Sequence, residues 1–252
     1  MTLGRAIRNG VRFLIGDTAY TRLWEWNQRR IQHARVRHLH SAKGVVHVGA
    51  NTGQERDLYD GFHLDVIWIE PIPSVFADLV ANISGFPRQR AYRYLVTDED
   101  GREYTFHVSN NGGQSSSVLG LAMHKQMHPH VWYSDSIKLE SITLASLVKK
   151  EKIDLRAFEV LILDTQGSEL MVLKGAAGLL PHFRFIQTEV ADFEAYSGCC
   201  QLPEMSSFLA RHGFREYRRD IQRSTPGIGT YYEIVYKRAW RPFTRSAARR
   251  SD

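Results

Sequence analysis

Residues 45–54, taken together with Glu70, constrain the fold of this chain more than any other part of it. Val45, Val46, His47 and Val48 carry the β-branched bias of a buried strand, and Gly49, Ala50, Asn51, Thr52 and Gly53 follow as a tight turn of small residues. A second apolar run, residues 66–69, ends on Glu70, which lies 21 residues after Gly49. A strand, a glycine-containing turn, a helix, a second strand and a terminal acid make up the unit with which a doubly wound α/β fold holds a ribose. The acid at the tip of the second strand accepts hydrogen bonds from the sugar hydroxyls.

The glycine spacing narrows the ligand. A dinucleotide site wants G-x-G-x-x-G, because the middle glycine lets the backbone approach a pyrophosphate that the helix N-terminus then receives. Here Ala50, Asn51 and Thr52 separate Gly49 from Gly53, so the close-approach glycine is missing, and no G-x-x-x-x-G-K-[ST] phosphate loop occurs anywhere. A cofactor with ribose and adenine but no phosphate fits better, and S-adenosylmethionine (SAM) is the common one.

A chain of 252 residues with 43% hydrophobic content can bury one good core, and α/β domains reach this length without splitting. Cys199 and Cys200 are adjacent, so they build neither a disulfide framework nor a zinc site, and no apolar run approaches the length of a membrane span. The expected location is the cytoplasm. The formal charge of +6 is unevenly spread. Residues 1–43 hold nine Lys/Arg against two acids (+7) and residues 237–252 six against one (+5), which leaves −6 on the stretch between. Basic arms on an acidic body point to the arms as contacts for anionic partners, or for the inner surface of a membrane, rather than to a nucleic-acid groove in the body. Solvated arms that only confer solubility are the alternative. Leu23, Trp24, Trp26 and Ile31, interspersed with arginines, suit an interfacial helix or one packed on protein.

Along the chain, strands and helices alternate. After a basic, helical arm, the pattern predicts a strand at 44–49, a helix at 52–60, a strand at 65–70 and a helix at 73–84 entered by prolines. A third strand is expected at 90–96, with 102–109 pairing with it or extending the sheet after the turn at 98–101. Residues 110–136 are polar and read as a lid or binding loop, and 144–150 as a short helix. A fourth core strand at 159–163 ends in Asp164 and leads to a helix at 168–177. A fifth, at 183–188, ends in Glu189, a helix follows at 202–211, and 215–222 with 231–236 form a final antiparallel pair.

At this point the residues resemble a known family. The run Val-His-Val-Gly-Ala-Asn-Thr-Gly-Gln-Glu (46–55), the block Trp-Ile-Glu-Pro-Ile-Pro (68–73), the triplet Ser115-Ser116-Ser117 and the stretch Leu-Asp-Thr-Gln-Gly-Ser-Glu-Leu-Met-Val-Leu-Lys-Gly-Ala (163–176) are similar to FkbM-type SAM-dependent methyltransferases. The Asp-x-x-Gly-x-Glu signature is the most specific of these. His47 stands where an acid is often found, and Gln166 where a Glu is frequent. The resemblance implies a class I methyltransferase domain over residues 44–237, between a basic N-terminal helical arm (1–43) and a basic tail (238–252). Its fold would be a Rossmann-like, mostly parallel seven-stranded sheet with a terminal antiparallel pair. It implies methylation of hydroxyl oxygens on polyketides, sugars and glycans. Gly49, Asn51 and Gly53 would line the cofactor, Glu70 would bind its ribose, and Asp98 would approach the adenine amino group. Ser115, Ser116 and His128 are the expected acceptor contacts.

Methyl transfer from a sulfonium needs alignment and, for an alcohol acceptor, removal of a proton. Asp164 and Glu189 at strand tips are the expected bases, and Glu169 belongs to the same signature but sits where it steadies the first turn of a helix. His124, His128 and His130 are further possibilities in the lid; their spacing matches no common metal site, and no metal is expected. Two other classes stay open, a nucleic-acid methyltransferase and a non-catalytic nucleoside-binding scaffold. Against the former, the fourth strand ends in Asp-Thr-Gln-Gly rather than [DN]-P-P-[YF].

Overall fold

The computed structural model of the protein describes residues 36–239. The chain divides into two units at Ser41/Ala42. Of the first, only a turn at 36–41 is described, so the N-terminal arm, expected to be helical, and most of the basic C-terminal tail lie outside the described residues. No described helix is long and apolar enough to cross a membrane.

From Ala42 onward the elements run β1 (Gly44–Val48), α1 (Arg56–Gly61), β2 (Asp65–Ile69), α2 (Pro73–Ile83), β3 (Gln89–Tyr92), β4 (Leu95–Thr97), β5 (Glu103–Ser109), α3 (His124–Met127), β6 (Tyr133–Thr143) and α4 (Leu144–Lys150). They continue with β7 (Val160–Leu163), α5 (Glu169–Gly175), β8 (Phe185–Ala191), α6 (Leu202–Arg211), β9 (Phe214–Thr225) and β10 (Gly229–Arg238). Seven strands form one sheet in the order β3-β2-β1-β7-β8-β10-β9. β10 runs against both neighbours and all other pairings in it are parallel. This is the class I methyltransferase arrangement, and it places a topological switch between β1 and β7, where ligands of open α/β sheets bind beyond the carboxyl ends of the strands.

The central strands are short apolar runs because both of their faces are covered. Val46 and Val48 of β1, Ile67 and Ile69 of β2, and Leu161 and Leu163 of β7 join Leu144, Leu147, Leu170, Leu173, Phe208 and Leu209 from α4, α5 and α6 in one buried cluster. On the other face, His47 stacks on its register partner Trp68 at 5.1 Å, and Tyr59 of α1 packs against the same indole at 5.2 Å.

Four elements differ from the sequence pattern, each for a visible reason. α1 starts at Arg56 because Asn51 and Gly53 hold positive φ and turn the chain before a helix can begin. The run expected as one strand at 90–96 breaks into β3, in the main sheet, and β4. β4 pairs with β6 in a second sheet ordered β4-β6-β5, so 102–109 pairs with neither β3 nor the main sheet. β6, inside what reads as loop followed by a polar stretch, was not expected. Its Ile137 and Leu139 alternate inward with Tyr104, Phe106 and Val108 of β5 onto Ile72, Val75 and Leu95. Finally, β8 runs on to Ala191 because β10 pairs with it through Tyr231↔Ala191, so Glu189 lies inside the strand rather than closing it.

Gly49 has φ +83°, and a Cβ there would run into the Asp164 carbonyl oxygen. Gly49→Ala should therefore lower the free energy of unfolding by about 3 kcal/mol or more, the cost of a left-handed backbone plus the collision. Gly101 has φ +74° with nothing within 4 Å of its missing Cβ, and Gly101→Ala should cost only about 1 kcal/mol. Denaturant melts of the two variants test this difference.

Candidate functional site

Beyond the tips of β1, β2, β7 and β8 lies a cavity of about 630 Å³. Its first end is built by the turn after β1. Asn51, at φ +44°, directs its backbone N–H to Glu70 Oε2 at 2.9 Å, and Ile72 N–H donates to Glu70 Oε1 at 3.0 Å. Glu70 is buried, and burial pushes its carboxyl up to about 7, against the pull of those two N–H groups. Each carboxylate oxygen accepts one backbone bond and keeps a lone pair for a sugar hydroxyl. Pro71, Ile72, Leu95, Val96 and Phe106 line the same end and offer a largely apolar slot suited to a flat base. A buried ribose acceptor beside such a slot fits SAM.

The middle of the cavity is acidic. Asp164, just past β7, is open to the cavity but enclosed by protein on its other sides. That enclosure raises its pKa, while the Gln166 amide, donating to Asp164 Oδ1 at 2.6 Å, opposes the rise. Glu189 is half-buried and is raised well above the usual range, first by burial and then by Asp164, Glu169 and Glu233. Gln166 joins these groups. Its Oε1 accepts from the Tyr196 hydroxyl at 2.6 Å and its carbonyl from Ser117 Oγ at 2.8 Å, with its own φ at +54°. His47, within the lining, is held neutral by burial, its pKa lowered to about 4, and shares a 3.2 Å hydrogen bond with Tyr59.

Glu169 is buried and does not line the cavity. It accepts from Thr165 N–H at 2.9 Å and from Gly167 N–H at 3.1 and 3.0 Å, so it shapes the loop that presents Asp164 and Gln166. Burial pushes it up to about 7. Gly53 also stands back from the cavity, where a Cβ would meet Leu79 at 2.8 Å. Asp98 departs from expectation: it is exposed, follows β4 in the second sheet, and is not part of the lining, which on that side stops at Val96.

Ser115 and Ser116 do line the cavity, but their polar atoms are engaged in holding the cover loop. Ser115 N–H donates to Ser109 Oγ at 3.0 Å, Asn111 Nδ2 donates to Ser115 Oγ at 3.0 Å, and Ser109 N–H donates to Ser116 Oγ at 3.0 Å. The far end carries His124, His128, His130, Gln222, Arg223 and Tyr231. His124 is pushed down to about 4 by burial, with His128, Arg223 and His130 adding to the effect. It stacks on His128 at 4.6 Å and shares a 2.6 Å hydrogen bond with the Tyr231 hydroxyl. Among the described residues no group of three or more His, Cys, Asp or Glu is arranged to hold a metal ion.

Gln54, Glu55, Tyr196, Gln222, Arg223 and Tyr231 were not among the expected site residues, and Gln166 had little weight. Gln54 and Glu55 carried a signal in the run 46–55, and Gln166 in the Asp-x-x-Gly-x-Glu signature; the other four carried none.

A family model described as the methyltransferase FkbM domain matches residues 47–216. No curated protein matches the chain. Among solved structures, the chain is similar to magnesium protoporphyrin IX methyltransferase (ChlM) from Synechocystis PCC 6803 with bound SAM. That match has 10% identity and a TM-score of 0.45 and covers 92% of this chain and 97% of the other. It is also similar to M. capricolum TrmK in complex with S-adenosylhomocysteine, at 7% identity and a TM-score of 0.47, over 81% of this chain and 67% of that one.

Two outcomes follow from the buried acids. Glu70→Ala should weaken SAM binding by about 1.5–3 kcal/mol, the range for a hydrogen bond to a charged group, as read by calorimetry; unchanged affinity would overturn the assignment. Glu169 has a folded value of about 7 against an ordinary 4.5, so the folded state holds the extra proton between those values. This contribution to stability is present below 4.5 and is lost as the pH rises through 7. Glu169→Gln lacks the titration, so denaturant melts on either side of that window should show the variant gaining on the parent as the pH rises.

Proposed function

This chain belongs to the FkbM family of SAM-dependent methyltransferases, and from that premise we propose that it methylates a hydroxyl oxygen of a sugar, glycan or other hydroxylated metabolite. The observation that carries the reading is the pair of carboxyl groups Asp164 and Glu189, both raised and both lining the cavity between the Glu70 end and the histidine end. An alcohol must lose its proton as the new bond forms, and a base serves best when its pKa lies near the working pH. Carboxylates in water are too acidic for this, and enclosure by protein raises them.

SAM, when bound, supplies a methyl group on a positively charged sulfur that is already a good leaving group. The residues of the chain have three tasks around it. Glu70, with the turn from Gly49 to Asn51, holds the ribose, and the slot of Ile72, Leu95, Val96 and Phe106 takes the base. Asp164 orients the acceptor hydroxyl and takes its proton at Oδ1 or Oδ2, with Glu189 as the alternative recipient. Gln166, fixed by Tyr196 and Ser117, keeps the Asp164 carboxylate from turning away. The loop from Asn111 to Val131 lines one side of the site.

General-base removal should cost roughly a hundredfold to ten-thousandfold in turnover. Single-turnover methyl transfer with Asp164→Asn and Glu189→Gln, beside calorimetric SAM affinity, tests this. The expected result is a large loss of rate in at least one variant with SAM affinity nearly unchanged. Parental rates in both would place the base elsewhere.

A further inference from the structure

At the far end of the cavity, Gln222 and Arg223 are adjacent in β9 yet both belong to the lining. A regular strand forbids this, since neighbouring side chains point to opposite faces. The β9–β10 ladder resolves it: Arg223 pairs with Tyr231 and Ile221 with Tyr232, so Gln222 is an extra residue in a β-bulge. A bulge re-aims side chains, and such irregularities are common next to active sites. This one keeps Arg223 beside Tyr231, on the cavity side. The Arg223 guanidinium pairs with no carboxylate among the described residues, whereas Arg218 and Arg219 of the same strand are both held in ion pairs.

Histidines complete this wall. His124 is 5% exposed, bonds Tyr231 through Nδ1, and leaves Nε2 without a partner among the described residues. An unpartnered buried polar atom is costly, and one in a folded protein calls for an explanation such as a ligand that meets it. His128 stacks on His124, and His130 meets His128 edge-on at 6.1 Å. The acids of the cavity are Glu55 in the turn after β1, Glu70 and Asp164 just past β2 and β7, and Glu189 within β8. The cavity is therefore polarised, with carboxyl groups on the side of β1, β2, β7 and β8, and on the hairpin and cover loop a guanidinium that has no carboxylate partner among the described residues, beside imidazoles.

We propose that this wall is a subsite for an anionic group, a carboxylate or a phosphate, carried by the hydroxylated acceptor. The inference rests on the hydroxyl-methylation reading and deepens it. An acceptor with an anion on Arg223 and a hydroxyl toward Asp164 is held at two points, which selects one hydroxyl of several. Arg suits the task because its planar fork meets carboxylate and phosphate with two parallel hydrogen bonds, and His128 and His130 add N–H donors beside it.

The test uses the full chain loaded with S-adenosylhomocysteine and titrated separately with inorganic phosphate and with acetate. Calorimetry gives the affinity, and the ring resonances of His128 and His130 report the location. The expected result is saturable binding of at least one anion that moves both ring signals, weakened at least tenfold in Arg223→Gln and partly restored in Arg223→Lys, with cofactor affinity equal throughout. Whichever anion binds more tightly identifies the acceptor's group. Absence of binding by both anions, or binding that is the same in Arg223→Gln, overturns the subsite. The outcome is separable from the reading beneath it: parental methylation rates in Asp164→Asn and Glu189→Gln would remove the proposed base while anion binding still stood, and absent anion binding would overturn the subsite while a loss of rate in those two variants still supported the base.

Discussion

The site depends on how closely β1 and β7 converge at their carboxyl ends. Asp164 N–H donates to the Val48 carbonyl at 2.9 Å, while Gly49 N–H donates to the Ile69 carbonyl of β2 at 3.0 Å. The tips of three neighbouring strands are thus tied together by main-chain bonds. A side chain at position 49 would separate β1 from the segment carrying Asp164. These bonds position Asp164 and the turn that begins at Gly49. They involve main-chain atoms, so the geometry does not depend on side-chain packing that relaxes easily.

Carboxyl groups with raised pKa values serve two different ends here, and their partners tell them apart. Glu70 and Glu169 each accept backbone N–H groups from a tight loop, so each shapes the chain around itself. Glu70 combines that with a place in the cavity lining, and Glu169 stays outside it. Asp164 is held by a side-chain amide instead, and Glu189 stands within a strand opposite Glu233. The carboxyl groups of Asp164 and Glu189 remain available to a ligand because the loop that Glu169 braces does not need them for its shape.

What could be read from the sequence was local. The strand, turn and acid of the first βαβ unit announce themselves by β-branched runs and positive-φ residues, and α6 begins and ends where proline and periodicity put it. β6 was legible in principle, since Ile137-Lys138-Leu139-Glu140 alternates, but a surrounding polar stretch masked it. Asp98 looked like a cofactor contact because β4 looked like a continuation of β3; the chain leaves the main sheet between them, and no side-chain pattern marks that departure. The bulge at Gln222 was beyond reach for another reason. It exists only as a mismatch in the count of residues on two paired strands, and one strand read alone does not contain it.

The two ends of the cavity are drawn from distant parts of the chain. The end that carries Glu70 comes from residues 49–72, close to the start of the fold, whereas Gln222, Arg223 and Tyr231 sit on a hairpin at its end, on the outer edge of the sheet. An edge hairpin can lengthen, shorten or shift its bulge by a residue without disturbing the strands inside, because it borders only one neighbour in the sheet. Such an arrangement gives evolution a separate dial for acceptor choice. Duplicated copies of a chain like this one can diverge in what they modify through a dozen residues near the C-terminus, while the cofactor machinery is inherited intact.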